Sequence, residues 1–311
     1  MSISGLDLQS LLLWERGLPL PQWDIVEDWI GDNIPIDQHY EVWNDVARQW
    51  LAELASAIDP AYEVCESNNF IAVVPRGKDL GTKLLRFAER ARTRLMQVLF
   101  DLADFATPGK ELVIMLRDQQ EYDRYVAVAS RNDEVTSSVG MHLRDVYPHI
   151  ALNCFDLDSS ENILAHEMTH AALHRLTMPQ WIEEGLAQMF EHDMTGRQML
   201  MVDGHLAKSH KAHWDSDTIQ EFWHGHGFHR TDEIQSLNYQ LAEILIRLLF
   251  QDFQPRWFGW DRTPQQKLAT FLRTAKVHDC GARACRRELG FELGELPARF
   301  LGPGDWDPVL E

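Results

Sequence analysis

Residues 164–188 read LAHEMTHAALHRLTMPQWIEEGLAQ, and no other stretch constrains the fold as tightly. It holds His166-Glu167-x-x-His170, then Trp181-Ile182-Glu183-Glu184-Gly185-Leu186-Ala187 after a short break. Two histidines four apart on a helix share one face and can grip one metal ion. Glu167 then stands beside the first histidine, where a general base is needed. With 14 histidines and 22 glutamates in 311 residues, chance supplies about 0.04 such motifs. The flanking residues raise the odds. Ile163, Leu164, Ala165, Met168, Ala171, Ala172 and Leu173 make this an apolar helix. Burying two imidazoles and a carboxylate in it without partners is costly, and one cation satisfies all three.

A catalytic zinc site takes three protein ligands and keeps one position open. His166 and His170 supply two. The helix is expected to run to Arg175 or Leu176, about 8 Å beyond His170 at ~1.5 Å per residue. Thr177-Met178-Pro179 breaks it. A second helix then begins near Trp181 and runs back, with Glu184 in its first turn. Glu183 lies about 100° round that helix and cannot face the same point, so Glu184 is the expected third ligand. His174 stands about 12 Å along the axis from His166, too far to share the ion. Leu173 and Leu176 occupy the positions where a three-histidine site would need Gly and His.

HEMTH followed by P-x-W-I-E-E-G-L-A resembles the glutamate-zincin metallopeptidases, in particular the peptidase MA-like branch, with its HExxH and then W-x-x-E-G-x-A. The resemblance implies one Zn2+ per chain, held by His166, His170 and Glu184, with Glu167 as general base in peptide-bond hydrolysis. It covers roughly residues 63–300 and is strong at 166–187. The gap between His170 and Glu184 is shorter than in the best-known aminopeptidase members, so their substrate class is not carried over. Leu237-Asn238-Tyr239-Gln240-Leu241-Ala242 is similar to the family segment whose tyrosine hydroxyl stabilises the tetrahedral intermediate. Tyr239 is the corresponding candidate, and a packing tyrosine is the plainer alternative. The upstream Gly-rich strand of the exopeptidases has only a poor match in Ser138-Val139-Gly140-Met141.

Composition narrows the partners. A formal charge of −19 argues against nucleic acid, which needs a basic face, and disfavours an anionic membrane surface. No run approaches the ~18 apolar residues of a membrane span, and the N-terminus has no basic n-region of a secretory signal. Cys65, Cys154, Cys280 and Cys285 lack C-x-x-C spacing and read as reduced thiols of a cytoplasmic protein. The expected partner is a peptide or protein substrate.

The pattern predicts an α+β, zincin-like fold with a small mixed sheet. Residues 1–60 read as a Trp-rich helical extension, 61–157 as an α/β half, and 158–311 as a helical half carrying both motifs. Strands are expected at Phe70–Val74, Glu111–Leu116, Gly140–Leu143 and His149–Phe155. Helices are expected at Tyr40–Ile58, Lys83–Phe100, Gln119–Ala129, Ile182–His192, Leu237–Phe250, Pro264–Ala275 and Ala282–Leu289. Asp158-x-x-Glu161 looks like the capping box that opens the histidine helix. The His149–Phe155 strand is expected to take a peptide as an added strand. His224-Gly-His226-Gly-Phe-His229 reads as a surface loop, with a lid or a second metal site as alternatives. Two rival functions stay open: a non-catalytic binding or scaffold protein retaining the fold, and a zinc hydrolase of a non-peptide amide.

Overall fold

The computed structural model of the chain describes residues 5–77, 79–99, 102–131, 138–154, 156–196, 202–253 and 263–310. The fold is α+β. Two compact units divide the chain, one from residues 1–98 with 104–172, the other from 99–103 with 173–311.

The first unit is built on a five-stranded mixed sheet of order β3-β4-β5-β7-β6. Its strands are β3 (Tyr62–Glu66), β4 (Phe70–Pro75), β5 (Glu111–Leu116), β6 (Gly140–Leu143) and β7 (His149–Asn153). β4, β5 and β7 run parallel, while β3 and β6 close the two edges antiparallel. The three central strands are buried along nearly their whole length, with both faces covered, as parallel strands require. β3 is absent from the sequence reading because its alternating pattern, Tyr62-Glu63-Val64-Cys65-Glu66, is short and half polar. Phe155, the expected end of β7, and Phe100, the expected end of the helix begun at Lys83, lie outside the described residues.

Side chains of alternate parity go to opposite faces of the sheet. Ile71, Val73, Leu112, Ile114, Leu116 and Ala151 join one large core. That core also takes the N-terminal segment: a hairpin of β1 (Leu12–Glu15) and β2 (Leu18–Pro21), then α1 (Trp23–Asn33) and α2 (His39–Ile58). Trp23 meets Trp50 edge-on at 5.1 Å, and the Trp50 indole N–H donates to the carbonyl of Pro19 at 2.8 Å. The first 60 residues therefore contain a hairpin as well as helices, and they share the sheet's hydrophobic core. Helix α4 (Gln119–Ala129) contributes Tyr122, Tyr125, Val126 and Val128 to the same layer. Helix α3 (Leu80–Val98) packs on β3 and β4; a Cβ on Gly81 in its first turn would stand 2.3 Å from the Cys65 sulfur.

Helix α5 (Leu157–Leu173) follows β7. Two expectations change here. The cap is Asp156, whose Oδ1 accepts the backbone N–H of Ser159 at 2.8 Å; the Asp158 side chain lies outside the described residues. The helix also stops at Leu173, short of Arg175, ahead of the break at Pro179. A third correction concerns β7. It is hydrogen-bonded to β5 on one side and β6 on the other, so its backbone groups are consumed and it cannot accept an added strand. The edge on that side of the sheet is β6.

The second unit is helical. It includes α6 (Gln180–Thr195), α7 (Gly204–His213), α8 (Thr218–Trp223), α9 (Ile234–Asp252) and α10 (Thr263–Thr274). α7 and α8 escaped the sequence reading because each is short and follows Gly- or Asp-rich turns. The segment expected as one helix over Ala282–Leu289 is a single α-turn that continues as a π-helix. All four cysteines are free thiols, and burial pushes the Cys280 thiol up to about 11. No helix among the described residues is long and apolar enough to cross a membrane.

Candidate metal centre

His166 and His170 lie one turn apart on α5, and their Nε2 atoms are 3.1 Å from one another. Ligand atoms around a tetrahedral zinc with bonds of about 2.1 Å sit about 3.4 Å apart, so the two nitrogens already converge on one point. The helical spacing explains this: residues i and i+4 stand one above the other. Glu184 lies in the second turn of α6. One ligand atom from each of His166, His170 and Glu184 lies within 4.8 Å of the others, the one such group among the described residues. Neither Glu183 nor His174 belongs to it. Two neutral nitrogens and one carboxylate form a donor set suited to a zinc-type divalent cation.

Glu167 is 8% exposed and lies beneath the edge strand β6. A Cβ built on Gly140 would stand 3.1 Å from the Glu167 Oε1, 3.0 Å from its Cγ and 2.3 Å from Cγ2 of Ile163. The strand backbone thus rests directly on the carboxylate. Tyr122 is close enough to feel its charge: burial, with Glu167 adding, raises the Tyr122 hydroxyl well above the ordinary tyrosine range. That hydroxyl and the Ser138 Oγ share a hydrogen bond of 3.0 Å.

The helix carrying Glu184 is held by its neighbour α9. At Gly185 the two helices come so close that a Cβ would meet the Ala242 carbonyl oxygen at 2.6 Å and Ile246 Cγ1 at 2.6 Å. The glycine following Glu184 is therefore a packing requirement. Further along, the buried Glu243 accepts from His192 Nδ1 and from Arg247 Nε, each at 2.8 Å. Arg247 also donates to Asp193 at 3.0 Å. This charged clamp raises the His192 pKa, through the Glu243 hydrogen bond first. Gln188 Nε2 donates to Glu191 Oε2 at 3.4 Å.

Tyr239 lies on the first turns of α9, half-buried, with its ring edge-on to Phe228 at 5.2 Å. Phe228 belongs to a 3-10 turn, His226–His229, which is the Gly/His segment singled out in the sequence. Its glycines are packed. A Cβ on Gly227 would meet the Asn238 Oδ1 at 2.0 Å, and one on Gly225 would meet the Gln180 Oε1 at 2.6 Å. Gln235 Nε2 donates to the Phe228 carbonyl at 2.9 Å. The segment is thus docked on α9 and on the first turn of α6, and its glycines serve close approach. His226 and His229 are exposed, while His224 sits 4.0 Å from the Cys280 sulfur.

No protein-family model matches the chain, and a search of curated proteins finds no match. Sequence reasoning passed over Gly140, Tyr122, Gly185 and the Glu243 clamp as parts of the site's support. Gly185 had a signal, its place beside Glu184 inside a helix, where glycine is otherwise unfavourable. Gly140 had none, because its contact with α5 depends on strand order.

Proposed function

We propose that this chain is a zinc-dependent metallopeptidase of the glutamate-zincin type, with His166, His170 and Glu184 as metal ligands and Glu167 as general base. The observation that carries the reading is the convergence of the three ligand atoms next to a buried glutamate. A scaffold would need the ligands, yet it has no need of Glu167. When bound, zinc supplies Lewis acidity and lowers the pKa of a coordinated water. The Glu167 carboxylate would take a proton from the attacking water and return it to the leaving amine. Its burial keeps bulk water from competing for the carboxylate. Tyr239 is the proposed hydrogen-bond donor to the oxygen that gains charge. The substrate is a peptide, and the strand edge open to it on this side of the sheet is β6.

The test joins metal analysis to one isosteric variant. About one zinc per chain, with peptide cleavage abolished in Glu167→Gln, supports the proposal. Zinc without cleavage of any peptide library points to a binding protein, and Glu167-dependent cleavage of non-peptide amides alone points to another hydrolase. Stoichiometry unchanged in His166→Ala and His170→Ala rules out the site.

A further inference from the structure

The edge strand of the sheet and the glutamate of the metal motif are in contact, and one glycine makes this possible. Gly140 is not among the residues with positive φ, so its backbone suits any amino acid. Only space forbids a side chain there. The nearest obstacle is the Ile163 Cγ2, at 2.3 Å from a Cβ on residue 140. That methyl sits on a β-branched carbon, and its χ1 is held to one rotamer on a helix, so it cannot swing aside. The next obstacles are the Glu167 Cγ and Oε1, at 3.0 and 3.1 Å.

The strand cannot retreat either. Its entry is tied to the rest of the unit by several bonds. The Asn153 N–H donates to the Val139 carbonyl at 2.8 Å, and Gln119 Nε2 donates to the Ser138 carbonyl at 3.4 Å. The Ser138 hydroxyl meets the Tyr122 hydroxyl at 3.0 Å. Asn153 Nδ2 in turn donates to Gln119 Oε1 at 2.8 Å. β6 itself pairs with β7 along its whole length, Gly140 opposite Leu152 and Leu143 opposite His149. The strand's height above α5 is thereby set, so a methyl at 140 presses on both Ile163 and Glu167, and of these two the longer, unbranched Glu167 side chain yields more easily.

The geometry points to Gly140 as the positioning residue for Glu167: its bare backbone is the roof against which the carboxylate is set. This rests on the reading of Glu167 as general base. The atoms nearest a Cβ on Gly140 belong to Ile163 and Glu167 and not to His166 or His170, so an added methyl meets the base before the metal ligands. Relieving contacts of 3.0 and 3.1 Å moves the carboxylate by a few tenths of an ångström; at about 10²-fold in turnover per ångström of misplacement, the cost is about 5-fold.

The experiment uses the full chain with zinc bound and three variants. Gly140→Ala is expected to keep the zinc stoichiometry of the parent. It should lower kcat by about 5-fold with little change in KM. Its crystal structure should show the Glu167 carboxylate displaced while the two imidazoles stay. Gly140→Ala/Ile163→Ala removes the methyl that collides hardest, so it folds even if the single variant does not, and it leaves the Glu167 contact in place. Its Tm should match that of Ile163→Ala, with kcat still depressed. Full recovery of kcat in the double variant overturns the inference, since the loss then came from packing against Ile163. An unmoved Glu167 in the Gly140→Ala structure overturns it as well. If the parent cleaves nothing, or Glu167→Gln matches it, the functional reading fails; the crystallographic arm still decides whether Gly140 sets the carboxylate.

Discussion

Gly185→Ala separates two effects of opposite sign. In an exposed helix interior, replacing glycine by alanine stabilises by about 1 kcal/mol. Here the new methyl would lie 2.6 Å from the Ala242 carbonyl oxygen, 2.8 Å from its carbon and 2.6 Å from Ile246 Cγ1. Two of those atoms are backbone and cannot rotate away. Ordinary contact at about 3.4 Å would require α6 and α9 to part by about 0.8 Å at that point. The surrounding interface is tight, with Leu186, Leu241, Ala242, Leu245 and Ile246 fully buried. Forcing an extra methyl into such packing costs about 1–3 kcal/mol, and this site is at the upper end because a carbonyl is in the way. The net expectation is a loss of about 1–2 kcal/mol after the propensity gain, and a Tm lower by about 2–8 °C. Glu184 precedes residue 185, so zinc affinity should fall in parallel. Differential scanning calorimetry and competition with a zinc chelator read the two effects. A variant more stable than the parent would show that helix propensity outweighs the contact, and the packing argument would fail.

Other outcomes follow from single groups. Zinc added to the proposed site should raise Tm, since a ligand present at about 1,000 times its Kd stabilises the native state by about 4 kcal/mol; Glu184→Gln should abolish most of this shift. Burial, opposed by the Thr107 hydrogen bond and by Arg92, raises Glu111 from 4.5 to about 7. The native state holds that proton more tightly, so stability is full below pH 4.5 and falls by about 3 kcal/mol as pH rises through 7; denaturant melts of Glu111→Gln should not show this decline. His210 is buried as neutral imidazole, accepting from the Trp214 indole at 2.9 Å and donating from Nε2 to Gln240 at 3.2 Å. Burial lowers its pKa from 6.5 to about 4, so stability is present above 6.5 and is lost as pH falls toward 4; His210→Gln should flatten that limb of the stability profile. Asp156→Ala removes the cap of α5 and should cost about 1 kcal/mol in a urea melt.

Much of the fold was legible where periodicity is strong. Strands Glu111–Leu116 and Gly140–Leu143 and helix Gln119–Ala129 stand where their apolar spacing puts them. The N-terminal hairpin was not, because Leu12–Pro21 contains two prolines and its exposed Leu13 and Trp14 break the alternation. The capping of α5 was misjudged because Asp156 and Asp158 are equally plausible by type, and only the hydrogen bond to Ser159 distinguishes them.

The candidate site divides in the same way. The spacing of His166 and His170 on one helix, the break at Pro179 and the choice of Glu184 over Glu183 come from helical geometry, which is local and periodic. Those residues could be named from sequence alone. Which strand is the sheet's edge, what lies over Glu167 and why glycine stands at 140 and 185 depend on contacts between segments far apart in the chain. β7 precedes α5 directly, yet β6 is the strand that reaches the glutamate, because sheet order is set by pairing and not by proximity in sequence. Local periodicity determined the donor set; tertiary packing decided what holds it in place.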